Sequence, residues 1–287
     1  MAIVLKAKEA AELVYSEIAA RVEEWKKEGK QPSLAILLVE GDPASAYYAR
    51  SKQKIAERLG IAFRLRSFGS DVSEEELQRV ITELNADDTV HGIMLELPLP
   101  AHLSAAAIEA CIAPAKDIDG VTPSNKLAVY TGKGEGLYPA TPQACIELLK
   151  HYGYILEGRN VVLVGRGQTV GLPLFHLLQR ENATVTVCHS RTPDLGAHLK
   201  HAEIAIVAVG KPAMITKDMV HPGLTVIDAG INELADGKIT GDAAADLGDA
   251  AAAVSPVPGG VGTLTTAILY RNLMKAIDIQ MTLKGDV

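Results

Sequence analysis

Residues 160–173 read NVVLVGRGQTVGLP, an apolar, β-branched run that leads directly into a loop with three glycines. A segment of helical length follows, to about Arg180. Glycines in such a loop let backbone N–H groups approach a pyrophosphate, and the next helix N-terminus adds partial positive charge. The spacing is G-x-G-x-x-x-G rather than G-x-G-x-x-G, so a tight turn without a ligand stays open, but the context favours a Rossmann-type dinucleotide site. The expected cofactor contacts here are Gly165, Arg166, Gly167, Val170, Gly171 and Pro173.

Three further runs extend this strand into a sheet. They are apolar, rich in β-branched residues and separated by segments of helical length, at Thr184–Cys188, Ile204–Val209 and Leu224–Ile227. This alternation predicts parallel strands with crossover helices. Thr141-Pro142 suits an N-cap followed by proline at the first helical position. We therefore expect a Rossmann-type domain over residues 141–262.

The end of the second strand decides between NAD and NADP, because an acid there binds the free ribose hydroxyl of NAD whereas cations accommodate the phosphate of NADP. The strand is followed by His189-Ser-Arg-Thr192, and the first carboxylate comes only at Asp194. Arg166 and Arg191 are expected to flank the phosphate while Ser190 donates a hydrogen bond. NADP is therefore the predicted cofactor. The alternative is that both arginines are only surface charges.

Two later loops are also candidates for ligand contact. Asp228–Asn232 ends another predicted strand, and its Ile231 is expected beside the nicotinamide half of the cofactor. Pro256–Gly262, PVPGGVG, is a rigid, glycine-rich loop just before the last helix. The alternative for this second loop is a simple interdomain connector.

The first half of the chain also alternates strands and helices. Apolar residues repeat at helical spacing over residues 7–28, and continuous apolar runs bounded by turn residues predict buried strands. Asp42-Pro43 suits the start of one helix, and Ser73-x-x-Glu76 forms a capping box at another. The predicted strands are Ser33–Val39, Ala62–Phe68 and Gly92–Glu96, and further helices are predicted at Ala44–Leu59 and Thr263–Met281.

These elements predict an α/β protein of two domains. Residues 1–140 form an N-terminal α/β domain, and the C-terminal helix within residues 263–287 returns to complete it. The second domain is the Rossmann-type, NADP-binding domain of residues 141–262.

Four residues of the first domain stand where α/β proteins carry chemistry. Tyr48 and Lys52 have i,i+4 spacing, so they share one helix face near the carboxyl edge of the sheet. Glu96 ends a buried strand, and Asp119 follows Asp117 in a proline-flanked loop, where functional residues are common. Such pairs also arise by chance, so a surface lysine with its stem on apolar residues is the alternative for Lys52.

The composition limits the classes of function. The chain has 287 residues, 48% of them hydrophobic, and a net charge of -7 at pH 7, which argues against nucleic acid or an anionic membrane as partner. Cys111, Cys145 and Cys188 form no Cys-x-x-Cys pair, and no apolar run reaches the ~18 residues of a membrane span, so a cytoplasmic protein is expected. His198 and His201 are interpreted as part of a solvated face, and no metal site is predicted.

Six strings occur in order along the chain: Pro43-Ala-Ser45, Tyr48-x-x-x-Lys52, Leu97-Pro-Leu-Pro100, Lys116-Asp-Ile-Asp-Gly120, Val164-Gly-Arg166 with Val170-Gly-x-Pro173, and Pro256-Val-Pro-Gly-Gly-Val-Gly262. Their combination resembles the bifunctional methylenetetrahydrofolate dehydrogenase/methenyltetrahydrofolate cyclohydrolase family over nearly the whole chain. The resemblance implies NADP-dependent oxidation of 5,10-methylenetetrahydrofolate to 5,10-methenyltetrahydrofolate, followed by hydrolysis to 10-formyltetrahydrofolate. It also implies a homodimer in which an N-terminal catalytic domain and the Rossmann domain enclose a folate cleft.

The resemblance assigns roles to single residues as well. Lys52 assists proton movement in the hydrolysis, Tyr48 packs on the folate and orients it, and Asp119 accepts hydrogen bonds from the pterin ring. Ser190 and Arg166 hold the NADP phosphate. The expected catalytic residues, which also contact substrate, are Lys52, Tyr48, Glu96 and Asp119. The further expected substrate contacts are Leu95, Leu97, Pro258, Gly259 and Gly262.

Three positions depart from the usual family pattern. Glu96 stands where the family usually has Gln, and a carboxylate beside Lys52 favours its ammonium form, which leaves less free amine to act as a base. Weakened hydrolysis with retained oxidation is therefore expected. Gly167 replaces a frequent Ser and removes one phosphate donor, and Thr263 replaces the usual Pro after Gly-Val-Gly, so the preference for NADP rests on fewer groups.

Two other interpretations stay open from the sequence alone. One is a dehydrogenase with the same Rossmann half but another small substrate, of the amino-acid or shikimate type, which would use Lys52 and Asp119 differently. The other is a nucleotide-binding regulator without catalysis. Formation of NADPH from methylenetetrahydrofolate is expected only under the folate interpretation. Turnover of a hydroxy or amino acid instead would favour the other dehydrogenase.

Overall fold

The computed structural model describes residues 2–132, 136–234 and 236–285. The chain divides into two compact units, which confirm the expected two-domain α/β fold. The six-stranded unit comprises Met1–Leu13 and Pro139–Ile268, and the three-stranded unit comprises Val14–Tyr138 and Leu269–Val287. The expected domain ranges also include residues 1, 133–135, 235, 286 and 287, which lie outside the described residues.

The described residues form α-helices, strands and three short 3₁₀ turns. The helices are α1 Lys8–Lys27, α2 Pro43–Leu59, α3 Glu74–Ala86, α4 Ala105–Glu109, α5 Pro123–Thr131, α6 Ala140–His151, α7 Gly171–Arg180, α8 Leu195–Leu199 and α9 Val261–Lys284. The strands are β1 Ile3–Val4, β2 Ser33–Val39, β3 Ala62–Phe68, β4 Gly92–Leu95, β5 Asn160–Val164, β6 Thr184–Cys188, β7 Ile204–Val207, β8 Thr225–Asp228, β9 Asn232–Glu233, β10 Ile239–Thr240 and β11 Ala253–Val254. The 3₁₀ turns are Pro114–Lys116, Lys217–Met219 and Leu247–Asp249.

The six-stranded unit is built on a parallel sheet with the strand order β1-β11-β8-β7-β5-β6. Strand β5 has β6 on one side and β7 on the other, so the direction of winding reverses there. The carboxyl ends of β5 and β7 therefore form the topological switch point at which open α/β sheets bind ligands. The apolar side chains of β5, β7 and β8 are buried in one core, among them Val162, Ala205 and Val226.

Residues 2–13 group with this sheet rather than with the first domain, where the sequence had placed them. Ile3 and Val4 pair in parallel with Ala253 and Val254, which in turn pair with β8. Both β1 and β11 are two residues long and were not predicted. Such strands carry no local signal, because their partner along the sheet is about 250 residues away in sequence.

The three-stranded unit has the parallel order β3-β2-β4. All seven residues of the central strand β2 are buried, as expected for a parallel strand covered on both faces. An isolated parallel bridge joins Ile93 to Asp117, so the chain after the first 3₁₀ turn continues the sheet beside β4. The observed bounds of β2 and β3 agree with the predicted ones, and β4 ends one residue earlier, before Glu96.

The caps of α2 and α3 agree with the sequence prediction. The Asp42 side chain accepts hydrogen bonds from Ala44 N and Ser45 N at the start of α2. The Ser73 hydroxyl accepts one from Glu76 N at the start of α3. These side chains replace the missing intrahelical partners of the first turn.

The N-cap predicted at Thr141 was wrong. Helix α6 begins at Ala140 after Pro139, so Thr141 and Pro142 lie inside the first turn. Proline is tolerated there because the first-turn N–H groups have no intrahelical acceptor. Two strands also differ slightly from the prediction. β7 ends at Val207, two residues earlier than predicted, and β8 runs from Thr225 to Asp228, one residue later than predicted at each end.

Helix α9 is longer than predicted and completes the three-stranded unit from Leu269 onward. The Asn272 side chain donates hydrogen bonds to the carbonyls of Ile118 and Tyr138, at 2.7 and 2.9 Å. The Gln280 side chain donates to the carbonyls of His91 and Ala115. None of the helices among the described residues has the length and apolar character needed to span a bilayer.

Candidate active site

The glycine loop after β5 lies against the end of β7. Gly165 has φ +117°, and a Cβ there would overlap the carbonyl oxygen of Ala208. A Cβ at Gly171 would overlap the backbone of Gly165 and Arg166, whereas a side chain at Gly167 would enter open space. Only glycine at positions 165 and 171 lets the loop fold this tightly. The loop therefore presents its backbone at the switch point and leads directly into α7, whose N-terminus is Gly171.

The loop after β6 carries the predicted phosphate contacts. A tight turn forms where Thr192 N donates to His189 O at 2.8 Å and His189 N donates to Thr192 Oγ1 at 2.9 Å. Ser190, Arg191 and Arg166 are all exposed. Within the described residues neither arginine side chain has a hydrogen-bond or ion-pair partner. Both guanidinium groups are therefore available to an anionic ligand.

Pro256–Gly262 and Ile231 belong to the same six-stranded unit. Gly259 O accepts a hydrogen bond from Ala7 N at 2.9 Å, and a Cβ at Gly260 would overlap Pro256 O. A Cβ at Gly262 would lie 3.6 Å from Ile231 Cδ1, so this loop contacts the loop after β8. Ile231 is an apolar side chain with 56% of its surface exposed. The predicted substrate contacts Pro258, Gly259 and Gly262 thus lie in one unit and Lys52, Glu96 and Asp119 in the other.

Lys52 and Glu96 form a buried ion pair in the three-stranded unit. Lys52 Nζ lies 2.5 Å from Glu96 Oε1, and the side chains are 11% and 5% exposed. Helix α2 follows β2, and β4 is the neighbour of β2, so the carboxyl end of β4 comes next to the middle of α2. Glu96 N still donates to Leu37 O at 2.9 Å, which fixes the backbone from which its side chain leaves. The ion pair balances two charges that burial alone would disfavour.

Asp119 lies beside this pair, and Asp117 holds the loop that carries it. The Asp117 carboxylate is buried and accepts hydrogen bonds from Val121 N, Thr122 N and the Asn125 side chain. Burial and, secondly, the charge of Asp117 raise the pKa of Asp119 to about 7, although Lys52 opposes the shift. No described residue donates a hydrogen bond to Asp119. Its carboxyl group therefore changes charge near neutral pH and is available to a ligand.

Tyr48 and Leu97 lie at the exposed rim of the same site. Tyr48 is 37% exposed, and its ring packs edge-on against Tyr47 with ring centroids 5.7 Å apart. Leu97 is exposed, and its carbonyl oxygen lies 2.9 Å from Ser45 Oγ, which links the Leu97–Pro100 loop to the start of α2. Leu95 requires a correction. Its side chain is buried in the hydrophobic core, so only its backbone is available for substrate contact.

Two side-chain contacts that support this unit could not be predicted from the sequence. The Tyr270 hydroxyl on α9 donates a hydrogen bond to Lys52 O at 2.5 Å, and its ring is buried. Lys116 is buried at the end of a 3₁₀ turn, and its ammonium donates to the carbonyls of Leu84, Asn85 and Asp87 at the end of α3. Tyr270 and Lys52 are 218 positions apart in sequence, so no local pattern connects them.

The fold and these side chains define an α/β protein with a Rossmann dinucleotide domain and a second α/β unit carrying a lysine–carboxylate site. Residues 5–119 match the family model of the tetrahydrofolate dehydrogenase/cyclohydrolase catalytic domain. Residues 139–281 match that of the NAD(P)-binding domain of the same family. The chain belongs to the tetrahydrofolate dehydrogenase/cyclohydrolase family.

Relatives in sequence and structure cover nearly the whole chain. Bifunctional protein FolD 2 of Desulfitobacterium hafniense is 50% identical over 98% of both chains. The crystal structure of the bifunctional FolD methylenetetrahydrofolate dehydrogenase/cyclohydrolase of Campylobacter jejuni has a TM-score of 0.93 and 36% identity, covering 98% of this chain and 100% of that one. The FolD structure of Trypanosoma brucei, complexed with NADP cofactor and inhibitor, has a TM-score of 0.92 and 31% identity, covering 98% of each chain.

Proposed function

We propose that this protein oxidises 5,10-methylenetetrahydrofolate to 5,10-methenyltetrahydrofolate with NADP, and that it hydrolyses the product to 10-formyltetrahydrofolate more slowly than an enzyme without Glu96. The proposal rests on the family membership of both halves of the chain. The observation that carries it is the lysine–carboxylate site of Lys52, Glu96 and Asp119 within the family's catalytic domain.

The dinucleotide site fits NADP. Glycine at positions 165 and 171 lets the loop fold tightly against the end of β7. The backbone N–H groups of this loop and the start of α7 suit a pyrophosphate. The guanidinium groups of Arg166 and Arg191 have no partner among the described residues. Ser190, which directly precedes Arg191, is exposed. These groups match the charge and hydrogen-bonding needs of the 2′-phosphate. The NADP-bound FolD of Trypanosoma brucei supports the same assignment.

The oxidation needs positioning more than proton transfer. NADP, when bound, supplies a nicotinamide ring that accepts a hydride. The hydride leaves the bridging methylene carbon, the nitrogen lone pairs of the folate stabilise the resulting iminium cation, and no proton is exchanged. Tyr48 packs against the folate ring system, and Asp119 accepts hydrogen bonds from the pterin. Holding the carbon in a reactive orientation is therefore the main contribution of these side chains.

The hydrolysis makes different demands on the site. Water attacks the cationic methenyl carbon and loses one proton, which leaves a hydroxyl group on that carbon. The hydroxyl then loses its proton to solvent as the formyl carbonyl forms, one C–N bond breaks and that nitrogen gains a proton, so that one proton is released overall. Lys52 in its amine form takes the proton from water and returns it to the leaving nitrogen. The Glu96 carboxylate, 2.5 Å from Lys52 Nζ, stabilises the ammonium form instead. The same pair leaves the oxidation untouched, because that step involves no proton transfer.

A coupled spectrophotometric assay tests the proposal. The purified protein is mixed with methylenetetrahydrofolate and NADP, and the absorbance of NADPH and of methenyltetrahydrofolate is followed separately. We expect NADPH to form at once and methenyltetrahydrofolate to accumulate before it is hydrolysed. No NADPH with the folate, but turnover with a hydroxy or amino acid, would assign a different dehydrogenase. Binding of NADP without turnover of any such substrate would assign a regulator.

We also propose that the protein is a cytoplasmic homodimer. Cys111, Cys145 and Cys188 are all free thiols, consistent with a reducing compartment. The dimer follows from the family resemblance alone. Light scattering of the purified protein checks the dimer, and a mass near that of one 30.4 kDa chain would contradict it.

A further inference from the structure

We propose that Asp242 is a positioning residue that fixes two loops, Val209–Lys211 after β7 and the loop after β8 whose Ile231 is expected beside the nicotinamide half of the cofactor. The proposal rests on the proposed NADP site. The loops that Asp242 contacts follow β7 and β8. In the proposed NADP site, the glycine loop after β5 and the turn His189–Thr192 after β6 hold the adenosine half and the phosphates instead. Asp242 follows the β9–β10 hairpin and lies in neither loop.

The Asp242 side chain is fully buried and accepts four hydrogen bonds. Its Oδ2 accepts from Val209 N at 2.6 Å and Gly210 N at 3.0 Å. Its Oδ1 accepts from Lys211 N at 2.8 Å and from Asn232 Nδ2 at 2.9 Å. One carboxylate therefore joins three consecutive N–H groups after β7 to a side chain in the loop after β8.

A second buried carboxylate holds Asp242 itself. Asp228 Oδ1 accepts hydrogen bonds from Gly230 N at 2.9 Å and Asp242 N at 3.1 Å, and Asp228 Oδ2 accepts from Ala243 N at 2.8 Å. Asp228 N donates to the buried Ser255 hydroxyl at 2.8 Å. The chain on both sides of Asp242 is thus fixed to the end of β8.

Two glycines make this close packing of carboxylates and loops possible. A Cβ at Gly230 would overlap the Asp242 carboxyl group, and a Cβ at Gly241 would overlap that of Asp228. No cation is needed, because the two carboxylates accept seven hydrogen bonds from N–H groups. Charge-assisted hydrogen bonds of this kind are stronger than neutral ones. The loops are consequently rigid without being part of the sheet.

The two loops border the proposed nicotinamide position. Val209 comes directly after Ala208, whose carbonyl abuts Gly165 in the glycine loop. Ile231 stands between Gly230 and Asn232, both tied to the carboxylate pair, and it presents an exposed apolar side chain. The flat face of a nicotinamide ring suits such a side chain. A displacement of about 1 Å in such a loop is enough to slow a hydride transfer a hundredfold.

Asp242→Asn tests the proposal, since it keeps the shape and turns one acceptor oxygen into an NH2 group. Whichever way the amide is oriented, two of the four donors then face another donor. We expect kcat/KM with NADP to fall between ten- and a hundredfold. The Kd for adenosine 2′,5′-bisphosphate, a probe that lacks the nicotinamide half, should stay within about twofold of the native value, by the additivity of separated sites. Asp246→Asn, an exposed carboxylate nearby with the same change in charge, is the matched control.

The outcomes separate this proposal from the proposed function. Native kinetics in Asp242→Asn would overturn it, and so would an equal loss of affinity for NADP and for the bisphosphate, because Asp242 would then support the whole domain. If the native protein binds neither nucleotide, the proposed function fails and takes this proposal with it. Should Asp242→Asn not fold, by circular dichroism, Asn232→Ala removes only the tie to the second loop. A selective loss of kcat with NADP in Asn232→Ala supports the proposal, and unchanged kinetics overturn it.

Discussion

Replacing Glu96 by Gln should accelerate the hydrolysis while leaving the oxidation unchanged. The substitution keeps the size and shape of the side chain and one oxygen able to accept from Lys52 Nζ. It removes the negative charge that lies 2.5 Å from that nitrogen. Because the pair is almost completely buried, with side chains 11% and 5% exposed, water screens little of their attraction.

The size of the effect follows from the distance. Opposite unit charges 2.5 Å apart attract each other by about 6 to 7 kcal/mol at an effective dielectric constant of ~20. Desolvation of the two buried charges offsets most of this attraction. A remaining interaction of about 1.4 kcal/mol corresponds to about a tenfold change in rate. We therefore expect the rate of methenyltetrahydrofolate hydrolysis near pH 7 to rise about tenfold in Glu96→Gln.

The assay measures both half-reactions on the same preparations. Hydrolysis is followed as the loss of methenyltetrahydrofolate absorbance, and oxidation as the formation of NADPH. Glu181→Gln is the matched control, because it removes the carboxylate of a Lys–Glu pair with Lys150 that is partly exposed, with side chains 50% and 31% exposed. Thermal unfolding is recorded first, since breaking a buried pair can cost about 3 to 5 kcal/mol of stability.

Equal hydrolysis rates in the native protein and in Glu96→Gln would refute this reasoning. A parallel rise in the oxidation rate would refute it too, because the change would then affect folate binding rather than the proton acceptor.

Three further substitutions have expected outcomes. Asp119→Asn should raise the free energy of unfolding of the protein without ligand, and this gain should grow between about pH 4 and pH 7. Burial first and then nearby charge raise the pKa of Asp119 to about 7. Over this range the folded native protein therefore binds more protons than the unfolded one and loses stability as the pH rises, whereas the variant does not. Lys116→Met should reduce the free energy of unfolding by about 2 kcal/mol, because the buried ammonium donates to three carbonyls at the end of α3. Arg191→Ala should lower kcat/KM with NADP about ten- to a hundredfold, because it removes one charge-assisted contact to the 2′-phosphate. The value of kcat/KM with NAD, which lacks this phosphate, should stay within about twofold of the native value.

Each of these outcomes has a specific contradiction. A stability gain in Asp119→Asn that is the same at every pH would mean that Asp119 does not titrate over this range. Urea unfolding measures Lys116→Met against Lys27→Met, an exposed lysine, and equal losses would show that the three hydrogen bonds contribute nothing. Equal losses with NADP and NAD in Arg191→Ala would place Arg191 away from the 2′-phosphate.

The longer strands of both sheets could be predicted from the sequence, because each has a pattern within its own residues. β2, β5 and β6 are continuous or β-branched apolar runs, and β3 alternates apolar residues with Arg64 and Arg66 after Gly60. The structure gives all four strands the predicted bounds. β1, β11 and the β9–β10 hairpin were not predicted. Each of these strands is only two residues long and exists because a partner strand lies beside it. For the same reason the sequence did not indicate that residues 2–13 group with the six-stranded sheet.

The site residues differ in the same way: those with a local pattern could be predicted, and those that depend on side-chain packing could not. The glycine loop and the i,i+4 spacing of Tyr48 and Lys52 are local patterns and could be recognised directly. The contact of Lys52 with Glu96 spans 44 positions, yet it follows from topology once β2 and β4 are known to be parallel neighbours. The contacts of Tyr270 and Lys116 depend on how particular side chains pack, and no pattern in the sequence indicates them.

Glu96 and Asp242 are both buried carboxylates, but they are satisfied in opposite ways, and the two substitutions should therefore have different signatures. Glu96 is paired with a single cation, Lys52, so its removal changes the charge beside the proposed proton acceptor and should alter the hydrolysis but not the oxidation. Asp242 accepts hydrogen bonds from four N–H groups, so its removal changes geometry and should lower the rate of hydride transfer. Measuring both half-reactions in each variant thus separates a group that controls a proton from one that controls a position.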